Sequence, residues 1–300
     1  MNMAAKKTSA ASNAETKPKK SAAKPAKKSA NKSKLSSKIS LPALARTLDQ
    51  AALQARITPQ ISFQTQLTLV QAYEVQRLAI AERVKRGAKR AGVKMGFTSR
   101  AKMVQMGIDD MIWGRLTSDM VVEEGGVTDF ARYVHPRVEP EIAFLLKKQL
   151  VGDVTPMQAM DAVEAMAPAL EIIDSRYDNF KFSLEDVVAD NASSSGFVTG
   201  AWVRPDLDCS NLGLVLRFNG LPVQIGSTAA ILGHPARALA AAARFAAQAG
   251  EPLQPGWIVM AGGATAAEAM NPEPGSALHV EMDMEKIGRV AFTIANTISL

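Results

Sequence analysis

Two apolar segments, each interrupted by carboxylates, constrain this chain most. The first is Arg137-Val138-Glu139-Pro140-Glu141-Ile142-Ala143-Phe144, and the second, about thirty residues on, is Ala169-Leu170-Glu171-Ile172-Ile173-Asp174. Read as strands, the first sends Val138, Ile142 and Phe144 to one side and Arg137, Glu139 and Glu141 to the other. Two carboxylates on one strand face repel each other unless a cation sits between them. Glu171 lies between Leu170 and Ile172, where an unpaired charge is expensive to bury. A fold that buries these segments must therefore bring a cation to them. Oxygen-only donors suit a hard divalent ion, Mg²⁺ or Mn²⁺, with coordination positions left for substrate. Spacing alone leaves a second reading open, an exposed edge strand with its polar side chains in water.

Charge divides the chain in two. Residues 1–40 hold eleven lysines against the single acid Glu15, a net +10, so the other 260 residues carry −4 of the chain's overall +6. This Lys/Ala/Ser/Pro segment has almost no large apolar side chains and is expected to be a disordered basic tail. Its functional reading is weak, salt-sensitive contact with nucleic acid or another polyanion; the alternative is a solubilising extension. The mildly acidic remainder offers no basic groove, which weighs against a nucleic-acid-binding body. One cysteine, Cys209, excludes an internal disulfide framework and fits a reducing cytoplasm. No apolar run is long enough to span a bilayer, and the N-terminus lacks the apolar core of a signal peptide. No membrane partner is expected.

Residues 41–300 read as a single catalytic domain of the α+β class. Leu41, Leu44, Leu48, Ala52 and Leu53 mark a first helix, and Leu67 to Gln76 opens a second that runs into the basic turn Arg83 to Lys89. Lys94 to Phe97 is a short strand, and Ala101 to Met106 a short helix ending at Gly107. Beyond Val134 strands are predicted at 140–146, 169–173, 196–199, 212–219 and 221–225, the last two joined by an Asn219-Gly220 hairpin turn. Helices are predicted over 157–167 and 235–247, and a closing strand pair over 278–284 and 288–294. The Gly262-Gly263 pair lacks the spacing of a nucleotide-binding loop.

Further motifs accompany the glutamate segments in order: Lys94-Met95-Gly96-Phe97-Thr98-Ser99-Arg100, Trp113-Gly114-Arg115-Leu116, Ala189-Asp190-Asn191-Ala192-Ser193-Ser194, Gly233-His234-Pro235 and Pro255-Gly256-Trp257 leading to Ala261-Gly262-Gly263-Ala264-Thr265. The set resembles the hydratase/decarboxylase branch of the fumarylacetoacetate hydrolase superfamily over roughly residues 45–300. That resemblance implies a fumarylacetoacetase C-terminal-like mixed β-sheet roll with N-terminal helices. It also implies Mg²⁺ (or Mn²⁺) held by Glu139, Glu141 and Glu171, and a small dianionic 2-oxo acid as substrate. The implied activity is decarboxylation of 2-oxo-3-hexenedioate; hydration of 2-oxopent-4-enoate on the same scaffold is the alternative. An oligomer, and association with the hydratase that consumes the product, are the partner expectations.

Three glutamates around a dication leave a formal −1, which repels a dianion, so a further cation is required. Lys94, set among Val93, Met95 and Phe97, is the candidate, and the family pattern places the matching lysine beside the metal as a catalytic group. The pattern also maps substrate-side hydrogen-bonding roles onto Asp190, Ser193 and Thr265, although each also fits a turn or cap. Arg115, with Arg100 and Lys102, is the expected receiver of a second carboxylate, against the alternative of solvated surface charge. Hydratases of the branch tend to have an acid where this chain has Ile112, and many relatives have Asp where it has Trp257. Both replacements exclude water and favour decarboxylation. His135 and His234 adjoin prolines and receive no catalytic role.

Overall fold

The structure, a computed structural model, describes residues 40–100, 103–104 and 107–297. The basic tail, Lys102 and most of the expected helix 101–106 lie outside the described residues. Helix α1 (Leu41–Leu53) starts where the Ser40 side chain accepts the Ala43 N–H. Helix α2 (Leu69–Lys85) starts at a reciprocal capping box between Thr68 and Gln71. It ends with Arg83 and Lys85 in the last turn, where cations complement the exposed carbonyls. Arg86 clamps the two helices together through both oxygens of the buried Asp49, at 2.6 Å each.

The strands that follow are β1 (Arg90–Gly96), β2 (Ile112–Thr117), β3 (Val127–Asp129) and β4 (Arg137–Leu146). After the five-residue helix α3 (Pro156–Met160) come β5 (Val163–Ile173), helix α4 (Leu184–Ala189), β6 (Ser194–Thr199), β7 (Gly213–Phe218) and β8 (Leu221–Ser227). Helix α5 (Pro235–Gln248) precedes β9 (Ile258–Met260), β10 (Glu268–Ala269), β11 (Ala277–Met284) and β12 (Gly288–Ala295). Among the described residues these strands form two sheets. One is seven-stranded, in the order β2-β1-β9-β4-β5-β6 with β10 added to β4; the other is five-stranded, β3-β12-β11-β7-β8. Each contains one parallel pairing, β1 with β9 and β3 with β12, so both are mixed, and the expected α+β roll is what the chain adopts.

One expected element differs. The helix predicted over 157–167 stops at Met160, and Val163 onward pairs antiparallel with β4 from Leu146↔Val163 to Arg137↔Ile173. Long-range pairing and burial override the helical preference of the alanines, and Pro168 would break a helix there in any case.

The pleat of β4 separates two environments. Val138, Ile142 and Phe144 enter the main core, together with Val280, Met282 and Phe292 of the second sheet and the alanine face of α5. The opposite face carries Glu139, Glu141 and then Ala143, which joins Ala169, Phe197 and Met260 in a smaller apolar cluster. A third cluster ties α1 and α2 to α4 through Leu44, Leu48, Val75 and Val187. No helix among the described residues is long and apolar enough to cross a membrane.

Candidate active site

Register brings the acids together. Glu139 of β4 stands directly opposite Glu171 of β5, and Glu141 follows two residues along the same face. All three are buried, and each offers a carboxylate oxygen within 4.8 Å of the others. Lys94 reaches the trio from β1, its Nζ 3.0 Å from Glu171 Oε2, and donates to the Ala192 carbonyl at 3.1 Å. Its side chain fits because its cross-strand partner is Gly114; a Cβ there would lie 3.2 Å from the Lys94 Cγ and Cδ and 2.6 Å from the Asn191 carbonyl. The Gly262 N–H donates to Glu141 Oε2 at 2.7 Å, with Gly262 at φ +100° and its missing side chain replaced by Thr98. Ser194 donates to Glu171 Oε1 at 2.8 Å.

Among the described residues, carboxylates outnumber cations in this cluster. Burial, then the Glu171 charge, pushes the Glu141 carboxyl well above the ordinary range. Burial likewise raises Glu171, against the pull of Lys94. Burial alone would lower the Lys94 ammonium, but the three glutamates outweigh it and hold it up. Glu141 Oε1 is buried with no hydrogen-bond partner. Among the described residues the cluster's three carboxylates and one ammonium sum to −2, Glu141 Oε1 has no hydrogen-bond partner, and the donors are all hard oxygens. The residues therefore fit a divalent ion such as Mg²⁺.

Ser193 belongs to an unusual turn. Asn191, Ala192 and Ser193 are three consecutive non-glycine residues in the left-handed region, with φ of 53°, 51° and 60°. Such residues cost roughly 1–2 kcal/mol each, so the turn must be held from outside. The Asn191 amide does this on one side, accepting from the Arg115 N–H at 2.8 Å and donating to its carbonyl at 3.0 Å. Asp190 does it on the other, bound by the Arg176 backbone N–H at 3.0 Å and Nε at 2.6 Å. Burial pushes Asp190 up to about 6 against the pull of Arg176. The turn presents the Ala192 carbonyl to Lys94 and places Ser193 on the cleft, its buried hydroxyl without a hydrogen-bond partner.

The cleft itself measures 640 Å³ and is walled by Phe97, Ile112, Ile173, Phe182 and Val187, with Lys94, Glu139, Arg137 and Lys181 supplying charge. Of the sequence-predicted site residues, Lys94, Glu139 and Ser193 line the cleft, and Glu141 and Glu171 lie fully buried beside Glu139. Asp190 lies one layer behind, on Arg176. Thr265 bonds its own loop, donating to the Ala266 carbonyl, while its neighbours Ala266 and Ala267 line the cleft. Arg115 does not join the site. It points from the opposite face of β2, where its guanidinium binds Glu251 and Gln76 and lies 4.4 Å from the Trp113 ring centroid. This buried charge is satisfied by Glu251 and Gln76 and does not line the cleft. Arg100 is exposed and off the cleft. Trp257 lies under Arg90, away from the cleft, so only Ile112 of the two water-excluding replacements lines it. Sequence reasoning missed Lys181 and gave Arg137 no role, although the alternation of β4 had already set Arg137 on the glutamate face.

Comparison with known proteins agrees with this architecture. The model for the fumarylacetoacetate (FAA) hydrolase C-terminal family matches residues 87–295. A 4-oxalocrotonate decarboxylase of a Pseudomonas species is 58% identical over 250 residues, covering 83% of this chain and 96% of that one. A 2-keto-4-pentenoate hydratase of Paraburkholderia xenovorans LB400 is 34% identical over 204 residues, 67% of this chain and 76% of its own. The structure of 4-oxalocrotonate decarboxylase from Pseudomonas putida G7, complexed with magnesium and adipate, superposes with a TM-score of 0.81 at 36% identity over 85% of this chain and 97% of that one. The chain belongs to the fumarylacetoacetate hydrolase family.

Proposed function

We propose that this chain is a Mg²⁺-dependent carboxy-lyase that converts 2-oxo-3-hexenedioate (4-oxalocrotonate) to 2-hydroxypenta-2,4-dienoate and CO₂. The observation that carries this reading is the buried all-oxygen trio Glu139, Glu141 and Glu171 with Lys94 beside it. The choice of reaction and ion draws support from the decarboxylase relatives, one of them solved with magnesium. Glu139, Glu141 and Glu171 hold the ion; Mn²⁺ suits the same donors. When bound, it supplies Lewis acidity at the C2 ketone, which makes that ketone the sink for the electron pair left by the C6 carboxylate.

The protein's own groups bind and orient. Lys94 donates to the Ala192 carbonyl and forms an ion pair with Glu171 at 3.0 Å, and its three-proton ammonium has donor capacity left for the substrate carboxylate or the oxygen on which charge develops. Ser193 supplies a hydroxyl already stripped of water. Ile112, Phe97 and Val187 form a wall with no group to activate water, which favours loss of CO₂ over hydration of the diene. Association with the hydratase that consumes the product, and oligomerisation, extend the same reading.

Calorimetric Mg²⁺ titration tests the site. Glu139→Ala and Glu171→Ala are expected to lose Mg²⁺ binding and metal-dependent turnover while keeping a wild-type circular dichroism spectrum. Wild-type Mg²⁺ affinity in either variant would remove that residue from the ligand set.

A further inference from the structure

The cleft holds two cations that the metal site does not use. Arg137 sits on β4 two residues before Glu139 and on the same face, and Lys181 approaches from the loop after β5. Among the described residues neither makes an ion pair with a carboxylate; the guanidinium carbon of Arg137 lies 4.7 Å from the centroid of the Phe180 ring. That ring is held in place by a strained loop, Asn179 and Phe180 being successive left-handed residues with φ of 55° and 56°. Phe182 packs against Phe180 with ring centroids 5.8 Å apart. The guanidinium thus lies against this ring at the cleft, and among the described residues its N–H donors make no hydrogen bond.

We infer that Arg137 and Lys181 form the subsite for a second, distal carboxylate of the substrate. The inference rests on the proposed reaction and names the group that makes the site specific for a dicarboxylate. Charge and reach both support it. Among the described residues, Glu139, Glu141 and Glu171 cancel formally against Lys94, Arg137 and Lys181, so a bound dication leaves +2, which a dianion closes and a monoanion does not. Without Arg137 and Lys181 the same site with its dication is already neutral, and a dianion would enter uncompensated. Residues two apart on an extended strand are roughly 6.6 Å apart. The end carboxyl carbons of an extended six-carbon diacid lie about 6 Å apart, so a 2-oxo acid end held beside Glu139 places the other end at Arg137.

Paired ligands isolate this subsite. 2-Oxoadipate and 2-oxohexanoate have the same chain length and the same 2-oxo acid end, and differ in the distal carboxylate. Titration calorimetry of the Mg²⁺-loaded protein is expected to show 2-oxoadipate binding more tightly. Arg137→Met and the exposed Lys181→Met should each weaken 2-oxoadipate by about 10- to 100-fold, the range of a charged hydrogen bond, and leave 2-oxohexanoate within about 2-fold. Unchanged preference in both variants would overturn the subsite and leave the metal site standing. Absence of Mg²⁺-dependent binding of either ligand to the wild type would overturn the metal site and the subsite together.

Discussion

Replacing Glu141 by Gln should make the metal-free protein more stable and the metal-loaded protein less so. Glu141 is fully buried, its Oε1 has no hydrogen-bond partner, and Glu139 and Glu171 lie beside it. At pH 8 the metal-free fold must either keep that charge unpaired or bind a proton, at about 1.4 kcal/mol per pH unit above the ordinary carboxyl range. Gln avoids both. Its oxygen can still accept the Gly262 N–H, and its amide can donate towards the neighbouring carboxylates. Relief of one buried unsatisfied group is worth about 1–3 kcal/mol, or roughly 2–10 °C in melting temperature for a body of this size. With Mg²⁺ at about 1,000 times its Kd, the wild type gains about 4.1 kcal/mol, while the variant, one ligand short, gains almost nothing. The order of the two melting temperatures therefore reverses when Mg²⁺ is added, which differential scanning fluorimetry with EDTA or Mg²⁺ reads directly. A metal-free variant that melts below wild type, or one that keeps the full Mg²⁺ shift, would refute the reasoning.

Two further predictions concern the supports of the site. Asn191→Ala removes both hydrogen bonds to the Arg115 backbone and leaves a strained turn unheld. It should cost about 2–4 kcal/mol in urea unfolding and lower kcat, because the Ala192 carbonyl loses its place against Lys94; a stable variant with normal kcat would contradict the positioning role. Glu251 tests the Arg115 network through pH. Burial works against its charge, but hydrogen bonds and charge from Arg115 and Arg90 bring its pKa from 4.5 down to about 2. A lowered carboxyl stabilises the fold above the unfolded value and loses that contribution as pH falls from about 4.5 towards 2. The shift corresponds to at most about 3 kcal/mol, reduced to about 1–2 kcal/mol by partial exposure. Glu251→Gln should therefore melt below wild type at pH 7, with a gap that narrows below pH 4.5; a gap that is constant with pH would contradict the assignment.

What could be read from the sequence was local and periodic. Alternation along residues 137–144 already set Arg137, Glu139 and Glu141 on one face, and a lysine among Val93, Met95 and Phe97 already called for a buried partner. Resemblance to the family fixed which distant segments meet. The illegible parts depend on long-range context. Ala159 to Ala167 has no periodicity that separates helix from strand, and only the pairing with β4 decides it. Arg115 adjoins the glycine that accommodates Lys94, yet alternation turns it to the far face, towards Glu251 from 136 residues away. The left-handed runs at 179–180 and 191–193 contain no glycine, and Asn179 and Asn191 signal only their first residue; the rest persist because tertiary partners over-determine them.

The most direct test of the account is a paired assay on the purified protein. With Mg²⁺, 2-oxo-3-hexenedioate is offered in one arm and 2-hydroxypenta-2,4-dienoate in the other, and CO₂ release and ultraviolet absorbance are followed together. The account predicts CO₂ release in the first arm that EDTA abolishes, and no loss of the diene to hydration in the second. Hydration of the diene without CO₂ release from the diacid would contradict it and assign the scaffold to the hydratase reaction.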